Sequence, residues 1–143
     1  MWAKKSTSDE ISVVLCGNPN VGKSTVFNSL TGLNQHTGNW AGKTVANAVG
    51  NYQHKGKSFV VTDIPGTYSL FSCSAEEDTA RNTICFSNSD VTVIVVDATC
   101  LERNLNLVLQ TLEATPKVVV CVNLIDEAER KGIKIDIDRK SVV

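Results

Sequence analysis

The sequence lacks an excess of charge of either sign, because 14 lysine and arginine residues nearly balance 15 acidic residues over 143 positions. A nearly neutral chain does not predict a broad surface for nucleic acids or for membranes. It also lacks a long apolar run, since the longest, residues 91–98, is too short and too interrupted to span a bilayer. The first ten residues are polar and charged after Trp2, which excludes a signal peptide. We therefore expect this segment not to cross a membrane by itself.

The pattern that cysteine-based sites need is also missing. The five cysteines include no Cys-x-x-Cys pair, and His36 and His54 have no ligand-like spacing to any of them. This argues against a zinc-type centre. The odd count, with Cys16 and Cys121 inside apolar strand patterns, predicts five reduced thiols in a cytosolic setting.

What the sequence does contain is a glycine-rich stretch that fits the phosphate-loop pattern Gly-x-x-x-x-Gly-Lys-Ser. It reads Gly17-Asn18-Pro19-Asn20-Val21-Gly22-Lys23-Ser24. The apolar residues 11–16 before it predict a buried strand, and residues 24–31 after it have helical spacing. In that setting backbone N–H groups and a helix N-terminus hold phosphate, Lys23 reaches the terminal phosphates and Ser24 ligates Mg²⁺. A glycine-rich turn with a chance Lys-Ser is the alternative, and the agreement of strand, loop and helix favours the phosphate site.

The rest of the chain alternates short apolar strands with helices, which predicts an α/β fold with a mostly parallel sheet. The predicted elements are a loose leader (1–10), a mobile loop (33–43), an edge strand (44–52), a returning hairpin strand (58–63), a helix (75–86), a buried strand (91–96), a helix with an apolar stripe (Leu101, Leu105, Val108, Leu109 and Leu112), a strand suited to burial on both faces (118–122) and a short helix (127–131). As an exposed edge the 118–122 strand would promote aggregation. We therefore expect the chain to be the front part of a longer protein.

Two short motifs follow predicted strands, where ligands lie in such sheets. After the hairpin strand, Asp63-Ile64-Pro65-Gly66 offers a carboxylate for the Mg²⁺ hydration shell and a Gly66 N–H for a γ-phosphate. A simple Asp-x-Pro-Gly turn is the alternative. After the last apolar strand, Asp126 can accept hydrogen bonds from guanine N1–H and the 2-amino group, a pair that adenine does not offer. Asn123 can brace the base and the loop, although helix capping by Asn123 and Asp126 is the alternative.

A further candidate, Thr44, lies 20 residues after Ser24 in the polar segment. A threonine there can complete the Mg²⁺ shell when a γ-phosphate is present and release it after hydrolysis. A single threonine is not a motif, so this assignment depends on the position of Thr44 between the phosphate loop and the Asp63 motif.

These motifs, in this order, resemble the small GTPase domains of the translation-factor-related (TrmE-Era-EngA-like) class. More narrowly, residues 11–138 are similar to the N-terminal G domain of the ferrous iron transport protein B family. The matching stretches are the phosphate loop with residues 25–28, Asn39-Trp40-x-Gly42-x-Thr44-Val45, residues 63–70, Glu76-Glu77, residues 123–128 and residues 132–136. The resemblance implies a Ras-like P-loop fold over residues 11–143, with helices on both faces and one antiparallel edge strand. The last strand and the Ser-Ala base-contacting loop of that fold would be missing.

The resemblance also assigns roles. It implies a regulatory domain that binds and hydrolyses GTP at the cytoplasmic face of the inner membrane, with the helical and permease portions of the same protein as partners and no nucleic acid. Nucleotide contacts are implied for Gly17, Asn18, Pro19, Asn20, Val21, Gly22, Lys23, Ser24, Thr25, Asn39, Trp40, Gly42, Lys43, Thr44, Asp63, Ile64, Pro65, Gly66, Asn123, Leu124 and Asp126. Mg²⁺ would be held by Ser24, Thr44 and, through water, Asp63. Lys23, Asn20, Thr44 and Gly66 would serve hydrolysis.

Some positions depart from the family pattern. Ala41 replaces a usual proline, Ala46 and Asn47 alter the edge strand, and Leu124 takes the place of a lysine found in many G domains. Residues 67 and 68 are threonine and tyrosine, so no glutamine follows Gly66 to orient the attacking water.

We expect a K⁺ ion to supply the missing positive charge instead. It would be held by the Asn20 side-chain oxygen and by backbone carbonyls around Gly38 and Trp40. The alternative is that Asn20 braces the loop and a partner provides an arginine. Two other functions remain open at this point: a cytosolic GTPase of ribosome or tRNA maturation, and a nucleotide-dependent interaction module without hydrolysis.

Overall fold

The computed structural model describes residues 10–32, 47–71 and 74–136. Within them, five strands form one sheet in the order β2-β3-β1-β4-β5. The strands are β1 (Glu10–Gly17), β2 (Ala48–His54), β3 (Lys57–Asp63), β4 (Val91–Asp97) and β5 (Val118–Asn123). The β2–β3 pair is antiparallel and the other three pairs are parallel. The predicted fold class, a mostly parallel sheet with one antiparallel edge strand, is confirmed.

In the described part of the chain, four α-helices connect and cover the strands: α1 (Lys23–Thr31), α2 (Ala75–Phe86), α3 (Leu101–Ala114) and α4 (Ile125–Arg130). The α1 helix ends at Gly32, whose left-handed φ of 69° places its N–H against the Asn28 carbonyl. At the start of α2, Ser74 and Glu77 form a reciprocal capping box. The predicted helices are confirmed, and α4 begins two residues earlier than expected.

The core lies on both faces of the sheet, because neighbouring strand residues point to opposite sides. On one face, Val13 and Leu15 of β1 pack in a cluster with Phe27 of α1. On the other, Val14 of β1 lies in a cluster with Leu107 of α3, to which α2 also contributes. Helices therefore cover both faces, and the carboxyl ends of the parallel strands stay free for the loops that follow them.

The hairpin between β2 and β3 is confirmed, although β2 begins at residue 48 rather than 44, and residues 44–46 lie outside the described part. Lys55 and Gly56 form the turn, both with positive φ. Tyr52 and Phe59 lie opposite each other across the strands, with stacked rings 4.6 Å apart. This cross-strand pair fixes the register of the hairpin.

The predicted apolar stripe of α3 is correct for Leu101 and Val108, which belong to or pack against the core, and wrong for the other three leucines. The helix buries Asn104, Leu107, Val108 and Thr111, whereas Leu105, Leu109 and Leu112 are 36–51% exposed. Two buried polar side chains donate to backbone oxygens one turn earlier: Asn104 Nδ2 to Cys100 O at 2.9 Å, and Thr111 Oγ1 to Leu107 O at 2.8 Å, while Asn104 Oδ1 has no partner among the described residues. Because these hydrogen bonds lower the cost of burying polar groups, α3 can bury a face that carries both polar and apolar side chains.

The β5 strand, whose apolar pattern is suited to burial on both faces, is partly exposed on both. Val119 and Val120 are 51% and 42% exposed. Among the described residues, β5 pairs only with β4 and forms an edge of the sheet. Its side chains therefore have a neighbouring strand on the β4 side only.

Among the described helices, none combines the length and the apolar character that a membrane-spanning helix requires.

Candidate functional site

The site lies at the carboxyl ends of strands β1, β3 and β5, where three loops meet. Ile64 N donates to Leu15 O at 3.1 Å, and Thr67 N donates to Gly17 O at 3.0 Å. These bonds hold the loop after β3 against the phosphate loop. From the third strand, Asn123 Nδ2 donates to Val21 O at 3.0 Å. The structure thus brings together three motifs that are up to 102 residues apart in the sequence.

The backbone of the phosphate loop is closely enclosed and needs its glycines. Gly22 has a φ of 82°, and a Cβ there would overlap the Asn123 side chain. At Gly17, a Cβ would lie 2.6 Å from Val95 O. The α1 helix starts directly after Gly22, so its free N–H groups open into the loop. The loop therefore fits the phosphate cradle expected from the sequence.

Lys23 is buried beneath this loop and has two partners across the site. Its Nζ donates to Asp63 Oδ1 and, at 2.6 Å, to the backbone oxygen of Ile64. Burial raises the pKa of Asp63, while the charge and hydrogen bond of Lys23 act in the opposite direction. The two predicted residues are therefore in contact, as an ion pair that sequence reasoning did not anticipate.

The oxygen atoms in this region suit a hard cation. Ser24, a half-buried residue, is the second residue of α1, next to Lys23, and the Asp63 carboxylate lies at the end of β3. Magnesium uses one or two such side chains together with water and substrate phosphate. No cluster of three or more histidine, cysteine or acidic side chains that could ligate a metal occurs in the described parts of the chain. Ser24 and Asp63 carry oxygen atoms of the kind that Mg²⁺ prefers.

The segment after β3 lies directly against the phosphate loop. A Cβ on Gly66 would lie 3.1 Å from both the N and the Cα of Pro19, so a side chain there would push the two loops slightly apart. The next residue, Thr67, is buried, and its hydroxyl donates to Ser69 O at 2.7 Å. Tyr68 is exposed, and its ring stacks under the Arg103 guanidinium at 5.0 Å. The Thr67 hydroxyl is therefore already hydrogen-bonded within the turn formed by residues 67–69.

The third loop presents Asp126 on the surface at the start of α4. Its Oδ2 accepts a hydrogen bond from Arg130 at 2.6 Å, and this bond holds the pKa of Asp126 below its usual range. The N-cap of α4 is Leu124, with a φ of 60° and no side-chain capping bond. Capping of α4 by Asn123 or Asp126, the alternative raised by the sequence, is therefore not observed.

The remaining predicted site residues divide into two groups. Asn18 is buried, and its Oδ1 has no hydrogen-bond partner among the described residues, whereas Asn20 and Thr25 are exposed. Asn20 has a left-handed φ of 66°, which asparagine tolerates better than most residues. The others lie outside the described residues: Gly38, Asn39, Trp40, Gly42, Lys43 and Thr44.

Sequence reasoning missed Gln110. Its Oε1 accepts hydrogen bonds from Ser69 Oγ at 3.1 Å and from Leu70 N at 2.7 Å, which ties the segment after Gly66 to α3. A single glutamine on a helix carries no motif, so only the three-dimensional structure identifies this contact.

The described cysteines have no bonding role in the site. Cys16, Cys85, Cys100 and Cys121 are free thiols, as predicted, and Cys73 lies outside the described residues. Burial raises the pKa of Cys16, directly before the phosphate loop, to about 12. Its thiol is therefore protonated and unreactive at neutral pH.

Comparison with known proteins gives consistent results. Residues 11–142 match the family model described as ferrous iron transport protein B. The Fe(2+) transporter FeoB of Shigella flexneri is 43% identical over 136 residues, which cover 92% of this chain and 18% of the relative. The chain thus spans less than one fifth of the length of this relative.

Solved structures of this family have the same fold. The FeoB G domain of Methanococcus jannaschii is 41% identical and superposes with a TM-score of 0.80, covering 92% of this chain and 78% of that chain. NFeoB of S. thermophilus, in a structure bound to mGMPPNP, is 42% identical with a TM-score of 0.79, covering 89% and 49% of the two chains.

Proposed function

Because this chain belongs to the ferrous iron transport protein B family, we propose that it binds GTP and GDP with Mg²⁺, hydrolyses GTP and regulates a ferrous iron transporter. The observation that carries the proposal is the meeting of the phosphate loop, the Lys23–Asp63 pair and Asn123 at one edge of the sheet. The related M. jannaschii G domain and the mGMPPNP-bound S. thermophilus protein support it.

In this proposal, the backbone N–H groups of residues 17–24 surround the phosphates. Lys23 moves its hydrogen bonds from Asp63 and Ile64 O to the terminal phosphates, as a charge-assisted contact. Ser24, Asp63 through water and, from the segment outside the described residues, Thr44 are the residues that would hold Mg²⁺. Bound Mg²⁺ supplies positive charge to the β- and γ-phosphates.

The base is read at the start of α4. Asp126 accepts the two guanine N–H donors, and Arg130 must share or leave its oxygen when that happens. Asn123 holds the phosphate loop in register with the base-reading loop through Val21. Leu124 packs where many G domains have a lysine stem, so it offers the base an apolar contact only.

The partners of this chain are a guanine nucleotide and the remaining portions of the same transporter. Relatives such as the S. flexneri protein are about five times as long, since this chain covers 18% of that sequence. Iron passage belongs to those other portions, and we place this segment at the cytoplasmic face of the inner membrane. No nucleic-acid partner is proposed, in line with the net charge of −1.

For hydrolysis, we expect GTP turnover by this chain to be faster in KCl than in NaCl at equal ionic strength. The Thr67 hydroxyl donates a hydrogen bond to Ser69 O, so this side chain is not placed to orient the attacking water. Positive charge between the β- and γ-phosphates must come from another group. Exposed Asn20 offers an oxygen ligand for K⁺. Phosphate release from GTP is measured for wild type and Asn20→Ala in both salts, with Asn51→Ala on the β2 strand as a matched surface control.

The stimulation by K⁺ should disappear in Asn20→Ala and persist in Asn51→Ala. Equal rates in the two salts for the wild type, or full stimulation in Asn20→Ala, would remove the cation from the mechanism. No turnover of GTP above the protein-free rate in either salt would contradict hydrolysis itself.

A further inference from the structure

A five-residue segment, Thr67–Phe71, connects the phosphate loop to helix α3. At its start, Thr67 N donates to Gly17 O at 3.0 Å. Toward its end, Gln110 Oε1 accepts both Ser69 Oγ at 3.1 Å and Leu70 N at 2.7 Å. The segment is therefore fixed at two places, one on the phosphate loop and one on α3.

The contact at α3 is difficult to replace. The Leu70 side chain is buried in the same apolar cluster as Ile84 of α2 and Leu107 of α3. This burial holds the Leu70 backbone close to the helix, where its N–H relies on Gln110. Removing the acceptor would leave a partly buried donor without a protein partner, which is more costly than the loss of an exposed hydrogen bond.

These two fixed points determine the position of Gly66, which immediately precedes the segment. Gly66 lies so close to Pro19 that a Cβ would be 3.1 Å from two of its backbone atoms. Its backbone is thus held over the phosphate loop. In the proposed function, the Gly66 N–H faces the γ-phosphate, so contacts that fix this position favour a nucleotide that carries that phosphate.

We infer that Gln110 is a positioning residue that holds Gly66 ready for the γ-phosphate, so that the preference for triphosphate over diphosphate depends on α3. This inference rests on the proposed function. GDP has no γ-phosphate, and its phosphates are held by residues 17–24, which Gln110 does not contact in any described hydrogen bond. Loss of the Gln110 acceptor should therefore weaken the GTP state and leave the GDP state unchanged.

The test compares Gln110→Leu, which removes the acceptor, with Gln110→Glu, which keeps an oxygen for Ser69 Oγ and Leu70 N. Affinities for GDP and for a non-hydrolysable GTP analogue are measured by titration with Mg²⁺ on the 143-residue chain. We expect Gln110→Leu to lower the analogue affinity about threefold to tenfold, the equivalent of one or two hydrogen bonds, with GDP affinity within about twofold of wild type. Gln110→Glu should recover most of the loss.

A purely structural role for Gln110 gives a different result. If Gln110→Leu lowered the affinities for GDP and the analogue by the same factor, or lowered neither, the inference would be overturned. The melting temperature of each variant, measured without nucleotide, checks that the fold is intact. A wild-type chain that binds neither nucleotide would contradict the proposed function itself, which is a distinct outcome.

Discussion

Lys23→Ala is expected to lower the affinity for GTP by at least about 100-fold, because it removes a charged donor from the terminal phosphates. In the described structure, Lys23 is buried under the phosphate loop, and its Nζ is within hydrogen-bond reach of both Asp63 and Ile64 O. Titration with a fluorescent GTP analogue measures the loss. Lys57→Ala is the matched control, since Lys57 is an exposed lysine at the start of β3, away from the loops.

The same substitution also leaves the Asp63 carboxylate buried without its lysine, which destabilises a fold. The double variant Lys23→Ala with Asp63→Asn removes that unpaired charge and should recover melting temperature without recovering GTP affinity. Wild-type-like binding by a folded Lys23→Ala chain would show that residues 17–24 do not hold the phosphates.

Asp126→Asn is expected to lower GTP affinity by about 100-fold or more and to shift the preference toward xanthosine triphosphate. The change replaces an acceptor of two guanine N–H groups with an amide, which can donate to the extra carbonyl of xanthine. Competition of each nucleotide against a labelled analogue gives the ratio. Glu129→Gln is the matched control, because Glu129 is an exposed acidic residue on the same helix.

Asp126 also pairs with Arg130, so the variant disturbs two interactions at once. Arg130→Ala separates them: it removes the ion pair but keeps the carboxylate, and it should retain the preference for guanine. An Asp126→Asn chain that still prefers GTP over xanthosine triphosphate would show that this carboxylate does not select the base.

The strands and helices were predictable where local pattern decides structure. Residues 11–16 and 91–96 are mostly apolar, with one polar residue each, and form the adjacent strands β1 and β4. Gly32 and Gly132 have positive φ and lie just beyond α1 and α4, where glycine commonly ends a helix. The order of the motifs also predicted which loops meet, because parallel strands place their carboxyl ends at one edge of the sheet.

The predictions that failed have one physical cause in common. The packing of the folded chain, rather than the local sequence pattern, decides which side chains are buried and which residues meet. Leu109 was expected inside and is exposed, while Thr111 is buried because its hydroxyl bonds to its own helix. The ion pair between Lys23 and Asp63 and the contact of Gln110 with Leu70 join residues about 40 positions apart. No local sequence pattern encodes such pairs, since they depend on how the loops and α3 lie against each other.

The central claim, that this chain is a guanine-nucleotide-binding domain, is tested most directly by competition binding. The wild-type chain is loaded with labelled GDP in the presence of Mg²⁺, and unlabelled GTP, GDP and ATP are titrated against it. We predict that GTP and GDP displace the label and that ATP does not at 100-fold higher concentration, a difference of about 2.7 kcal/mol. Displacement by ATP at the same concentration as GTP would contradict it.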